Sequence, residues 1–144
     1  MQRIFYFCFL SIFLLFVGCS KNVPLSGTVT FGDDGSPLTV GTVNFLKDGK
    51  VARGEIQENG TYIVGFERER DGLPPGTYQV FITGAQESIE MPPIPGSNRY
   101  GVQMRRLSFR DLIDPKHTSA ETSGLTVAVD RKTRTFDIQV DRAR

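Results

Sequence analysis

From Leu25 to the C-terminus, apolar side chains recur at every second position in short runs separated by Gly, Pro, Asn and Asp. Period two sends successive side chains to opposite faces of an extended chain, so these runs predict half-buried strands of an antiparallel structure. Seven strands are expected. The first places Leu25, Gly27, Val29 and Phe31 on one face, the second Gly41, Val43 and Phe45. Ala52, Gly54 and Ile56 make a weaker third, an edge candidate. The fourth alternates Tyr62, Val64 and Phe66 after Asn59-Gly60, a pair that favours a tight hairpin. Tyr78, Val80 and Ile82 point inward on the fifth, and Leu125, Val127 and Val129 on the sixth. The last has Phe136, Ile138 and Val140 inward, with Asp137, Gln139 and Asp141 outward. Strands with one wet face hide the other by stacking two sheets, so the pattern predicts an all-β sandwich.

Between the strands, Asp33-Asp34-Gly35 and Asp48-Gly49 read as tight turns. A calcium site would need six to eight oxygens and the spaced acids that these stretches lack, so no metal is expected. In DGLPPGTYQV, Asp71 to Val80, Pro74 and Pro75 stiffen the approach, Gly76 permits a turn and Tyr78 opens a strand. A buried phenol needs a hydrogen-bond partner, so Tyr78 is expected to pin a neighbouring loop in the manner of a tyrosine corner. One connection, residues 84–123, breaks the even spacing and is expected as a long insertion. Connections of that length are usually functional or disordered. Arg99, Tyr100, Arg105, Arg106, Phe109, Arg110 and His117 make it the candidate binding loop, and Met104, Leu107, Phe109 and Leu112 loosely predict a short helix over 104–112.

The N-terminus changes the picture. A basic start at Arg3 is followed by an almost unbroken apolar run from Ile4 to Val17, ending at the small residue Gly18. That is the layout of an export signal, and it is shorter than the roughly 20 apolar residues a membrane span requires. Phe16-Val17-Gly18-Cys19 resembles the lipobox of bacterial lipoproteins, with Phe16 where that pattern usually has Leu, Val or Ile. The resemblance implies a cleaved signal helix over residues 1–18 with the cut between Gly18 and Cys19, lipidation of Cys19, and a tether over 19–24 ahead of the sandwich domain at 25–144. Each buried methylene of an acyl chain contributes about 0.8 kcal/mol, so several chains on one cysteine hold a protein on a membrane almost irreversibly. Ser20 lacks the acidic side chain that retains such proteins at an inner membrane, so the outer membrane is expected ahead of the cytoplasmic one, on the extracytoplasmic side.

Cutting before Cys19 removes the other cysteine, Cys8, so no intrachain disulfide is expected and stability must come from an ordinary core. The chain holds 17 basic and 16 acidic residues, a balance that argues against nucleic-acid partners. His117 is the only histidine. It is near Ser119, Asp114 and Ser123 in sequence, but a catalytic triad is defined by geometry. With no GxSxG elbow, no HExxH pair and no phosphate-cradling loop, neither enzymatic activity nor a cofactor is expected.

With these motifs in view, the chain resembles a family of small exported lipoproteins of planctomycete-type bacteria. Their domain is a transthyretin-like (prealbumin-like), carboxypeptidase-regulatory-like β-sandwich. The residues that carry the likeness are VPLSGTVTF at 23–31, SPLTVGTVNF at 36–45, ARGEIQENGTYIVGF at 52–66, DGLPPGTYQVFIT at 71–83 and SGLTVAVD followed by TFDIQV. The resemblance implies a seven-stranded antiparallel Greek-key topology. It departs at Asp114-Pro115-Lys116-His117, where His117 replaces an aromatic. Hydroxyisourate hydrolases share that architecture but rely on several histidines and a terminal Tyr-Arg-Gly-Ser motif, both missing here. Sandwiches that cross-link lysine to asparagine need an asparagine in the last strand, and residues 134–141 hold none. The expected role is a membrane-tethered, non-catalytic accessory module meeting an envelope protein. A carbohydrate-binding module using Tyr100 and Phe109 comes second, weakened by the absence of tryptophan, and a small hydrolase using His117 last.

Overall fold

The computed structural model describes residues 22–92 and 106–144. Nine strands run in chain order: β1 Ser26–Phe31, β2 Thr42–Lys47, β3 Lys50–Glu55, β4 Thr61–Ile63, β5 Gly76–Thr83, β6 Gln86–Met91, β7 Arg106–Asp111, β8 Leu125–Val129 and β9 Ile138–Val140. They form a three-stranded sheet ordered β4-β1-β9, a four-stranded sheet ordered β3-β2-β5-β8, and a separate ribbon of β6 and β7. The two larger sheets pool their inward side chains into one buried cluster, which makes the body a two-layer, all-β structure.

The alternation read from the sequence is the alternation buried. Val29, Val43, Phe45, Val64, Val80 and Ile82 are fully enclosed, and Tyr62 and Ile138 nearly so. Phe45 sits at the centre, with ring centroids 6.1 Å from Tyr62, 6.5 Å from Tyr78 and 6.4 Å from Phe136. Burying an aromatic among aromatics combines a large apolar area with favourable edge-on contacts.

Several expectations need correction. There are nine described strands, not seven, because the long connection contributes β6 and β7. Of the stretch 104–112 expected as a helix, the described residues from 106 are not helical: they hold β7, paired antiparallel with β6 from Gln86↔Asp111 to Met91↔Arg106. The sheets are not wholly antiparallel, since β1 and β9 pair in parallel with Val29 opposite Ile138. Asn59-Gly60 does form a tight turn, with Gly60 N–H donating to Gln57 O at 2.8 Å. The strands it joins separate into different sheets, β4 to β1 and β3 to β2, with a single bridge between the segments at Arg53↔Gly65. The turn is therefore a corner between layers rather than a simple hairpin. The body also begins before residue 25: Val23 is buried and exchanges backbone hydrogen bonds with Leu73 at 2.7 and 2.9 Å. Finally, 84–123 is no simple insertion, because Ala85, Ile113, His117 and Ser123 are all buried with the body.

Gly27 shows how tightly the chains close around β1 within the β4-β1-β9 sheet. An added β-carbon there would sit 2.8 Å from the Phe136 carbonyl carbon and 2.9 Å from the Tyr62 hydroxyl oxygen. The space is already taken by the Tyr62 hydroxyl donating to the Phe136 carbonyl across the strand. Burial pushes the Tyr62 hydroxyl pKa well up, with the Asp137 carboxylate adding to the effect.

Candidate functional site

Tyr78 occupies the inward face at the start of β5, and its hydroxyl donates to Pro74 O at 2.7 Å. This closes the Pro74-Pro75-Gly76 turn on itself. Lys47 stands 5.7 Å above the ring and also donates to Pro75 O, so the residues singled out around Tyr78 form a structural latch. Nearby, the Asp71 carboxylate receives the backbone N–H groups of Phe66, Glu67 and Arg68, at 2.6, 3.2 and 3.1 Å. The hydrogen bond from Phe66 is the main cause holding the Asp71 carboxyl below its ordinary pKa, and the latter two reinforce it.

His117 lies on a one-turn 3-10 helix, Pro115–Thr118, that Asp114 caps by accepting from Lys116 N–H. Its imidazole is buried, and Nε2 accepts the Asp141 N–H at 3.1 Å. The serines near it in sequence are engaged elsewhere. Ser119 donates to Glu121, and Ser123 donates to Val80 O at 2.6 Å. His117 thus bonds the backbone at the end of β9, next to the Lys116–Asp141 ion pair. The hydrogen bond from Lys116 is the leading cause of the lowered Asp141 carboxyl pKa.

Residues that sequence reasoning missed complete this end of the sandwich. Arg142 lies over the Phe31 ring at 3.8 Å and bonds Asp33, Asp34 and Ser36, each at 2.8 Å. Asp34 is held down to about 2, chiefly by the Ser36 hydroxyl and N–H and then by Arg142. A groove of about 360 Å³ was also unforeseen; it opens at the edge between β3 and β4, where Arg53, Glu55, Gln57, Ile63, Glu69 and Arg70 meet. Its residues come from separate runs whose proximity no local pattern encodes.

The ribbon is the surface most unlike the rest. Leu107 and Phe109 project from one face and Ile89 and Met91 from the other, and all four are exposed. The Arg110–Glu87 ion pair and a Gln86–Asp111 hydrogen bond of 2.7 Å tie its strands across. Of the candidate loop residues, Arg106, Phe109 and Arg110 share β7, whereas His117 is buried in the body. Arg99, Tyr100 and Arg105 lie outside the described residues, as do Gly18 and Cys19. Among the described residues no helix is long and apolar enough to cross a membrane, and no cluster of three or more potential metal ligands occurs.

No family model matches the chain, and no curated protein matches it. Solved structures are similar only at a distance. Two crystal structures of BcpA, the major pilin subunit of Bacillus cereus, share 16% identity with TM-scores of 0.42 and 0.43, covering 86% and 85% of this chain. A 9R-lipoxygenase from Cyanothece shares 13% identity over 85% of this chain, with a TM-score of 0.39. This chain spans 30% and 31% of the pilin chains and 17% of the lipoxygenase. Likeness at that level carries no functional argument.

Proposed function

We propose that this protein is a lipoprotein tethered through Cys19 on the extracytoplasmic side of a membrane, acting by surface contact rather than catalysis. The observation that carries this reading is the polarity of the body. Its N-terminal end enters where Val23 pairs with Leu73, just before the start of β5. The ribbon departs just after the end of β5, where Gln86 N–H bonds Gly84 O at 2.9 Å. Eight residues of β5 separate the two, on the order of 25 Å at strand rise. An anchor a few residues before Val23 would hold one end of the sandwich at the bilayer and carry the exposed apolar ribbon outward.

The two layers, their 4-1-9 and 3-2-5-8 strand orders and the Tyr78 latch support reading the body as a transthyretin-like, Greek-key sandwich. The carbohydrate reading has less support. The groove between β3 and β4 is lined by charged side chains, and the Tyr62 ring beside it is turned into the core. The hydrolase reading has least, because the His117 imidazole bonds a backbone amide instead of a serine hydroxyl.

The test is metabolic labelling with a radioactive fatty acid and envelope fractionation of the native chain and Cys19→Ala. Label and membrane association on the native chain alone support the proposal. An unlabelled native chain recovered in the soluble fraction refutes it.

A further inference from the structure

We infer that the free edge of β7 is a docking strand for a second copy of this chain, pairing antiparallel about Phe109. The inference rests on the tethered reading only for the concentration at which it operates.

The argument starts from the ribbon's hydrogen bonds. Leu112 N–H donates to Ala85 O at 2.9 Å, one step beyond the Gln86↔Asp111 pair. In an antiparallel ladder, pairs that exchange hydrogen bonds alternate with pairs that do not. Glu87↔Arg110, Ile89↔Ser108 and Met91↔Arg106 are therefore the exchanging pairs. The backbone N–H and C=O groups of Leu107, Phe109 and Asp111 consequently point away from β6, to the outer edge. Among the described residues no third strand takes them. Phe109 is 66% exposed and Leu107 57%, so the side chains of this edge are open as well. A two-stranded ribbon is marginal in water by itself, and an open edge of this kind templates further pairing.

Charge then selects the partner and the register. In a symmetric pairing, residues directly opposite share a face, and the outward-pointing groups must meet. Centring on Phe109 places Phe109 against its equivalent, Leu107 against Asp111 of the second copy, and Arg110 against Ser108 of the second copy. About six backbone hydrogen bonds form, from the three outward residues of each strand. Moving the centre to Ser108 puts Arg106 opposite Arg110, and moving it to Arg110 puts that arginine opposite itself. Like charges directly opposed destabilise a sheet, so of these three centres, which use the described strand, Phe109 is the one free of repulsion. The edge is thus self-complementary, as a two-fold interface requires. One added strand pair is a small interface, below the roughly 1,000 Å² of stable complexes. Confinement to a membrane raises the effective concentration that a weak contact of this size needs.

Cysteine cross-linking of the full chain in host membranes tests this, with the parent chain as background. Opposed Cα atoms of an exchanging pair lie about 5.5 Å apart, within disulfide range. Two Ser108 residues would lie about 8 Å apart on that register, from a strand spacing of about 4.8 Å and rise of about 3.3 Å, beyond that range. Under mild oxidant, Phe109→Cys should give covalent dimer at least about fivefold above background and Ser108→Cys should stay at background. The double variant Leu107→Cys with Asp111→Cys, which keeps Phe109, should give the same dimer. Within the Phe109→Cys chain, adding Leu107→Asp opposes two carboxylates and should return the yield to background, whereas Leu107→Lys should retain it. Equal cross-linking at positions 108 and 109, or none at 109 and none in the double variant, overturns the proposal. Repeating the series with Cys19→Ala separates the two readings: the position pattern reports the strand pairing, and a drop in yield on dilution reports the tether.

Discussion

Replacing Gly27 with Ala examines how tightly the β4-β1-β9 sheet closes around β1. The new methyl would sit 2.8 Å from the Phe136 carbonyl carbon, closer still to its oxygen, and 2.9 Å from the Tyr62 hydroxyl oxygen. Two of those three atoms are backbone, so the strain cannot be relieved by swinging a flexible side chain. Overpacking of this kind costs about 1–3 kcal/mol. Displacing the Tyr62 hydroxyl from the Phe136 carbonyl adds the loss of a buried hydrogen bond, about 1 kcal/mol. Urea unfolding of Gly27→Ala should therefore show a loss of about 2–4 kcal/mol at an unchanged slope. Tyr62→Phe alone removes only the hydrogen bond and should cost about 1 kcal/mol. Because both substitutions break the same contact, the double variant should lose less than the sum of the two. A Gly27→Ala protein within about 0.5 kcal/mol of the parent, or strict additivity in the cycle, would refute the packing argument.

Three further outcomes follow from the same structure. Phe45→Ala removes the ring at the centre of the aromatic cluster and should cost about 3–5 kcal/mol by urea unfolding; a loss below 1 kcal/mol would show that the centre lies elsewhere. The Asp34 and Asp71 carboxyls titrate below their unfolded values, so their contributions are present above about pH 4 and lost as pH falls through the folded pKa. Stability of the double variant Asp34→Asn with Asp71→Asn, followed from pH 5 to pH 2, should therefore fall less steeply than the parent's; an identical slope contradicts those hydrogen bonds. His117→Ala strands the Asp141 N–H and opens a cavity, so it should cost about 2–3 kcal/mol of stability while leaving surface contacts intact, which a pull-down beside a melt would separate.

The body was readable in the sequence because each of its strands has one dry face. Val43 and Phe45, or Tyr78, Val80 and Ile82, repeat at period two since alternate positions meet the core. The ribbon was unreadable for the converse reason. Leu107 and Phe109 on one face and Ile89 and Met91 on the other leave neither face dry, so no period-two contrast remains and residues 104–112 mimic a loose helical stripe. The parallel β1–β9 pair joins residues more than 100 positions apart, and local alternation cannot rank such partners. His117 drew attention as the sole imidazole; its Asp114 cap stands three residues before it, but the Asp141 amide it binds is 24 residues away, beyond any local signal.

The proposal of a surface-held, non-catalytic module is tested most directly by protease protection of spheroplasts made from cells that produce the intact chain. The undigested native body should sediment with the membranes and external protease should digest it, whereas Cys19→Ala should release the body into the supernatant before any digestion. A native chain shielded from protease until the cells are lysed, or a Cys19→Ala chain that sediments undiminished, would contradict it.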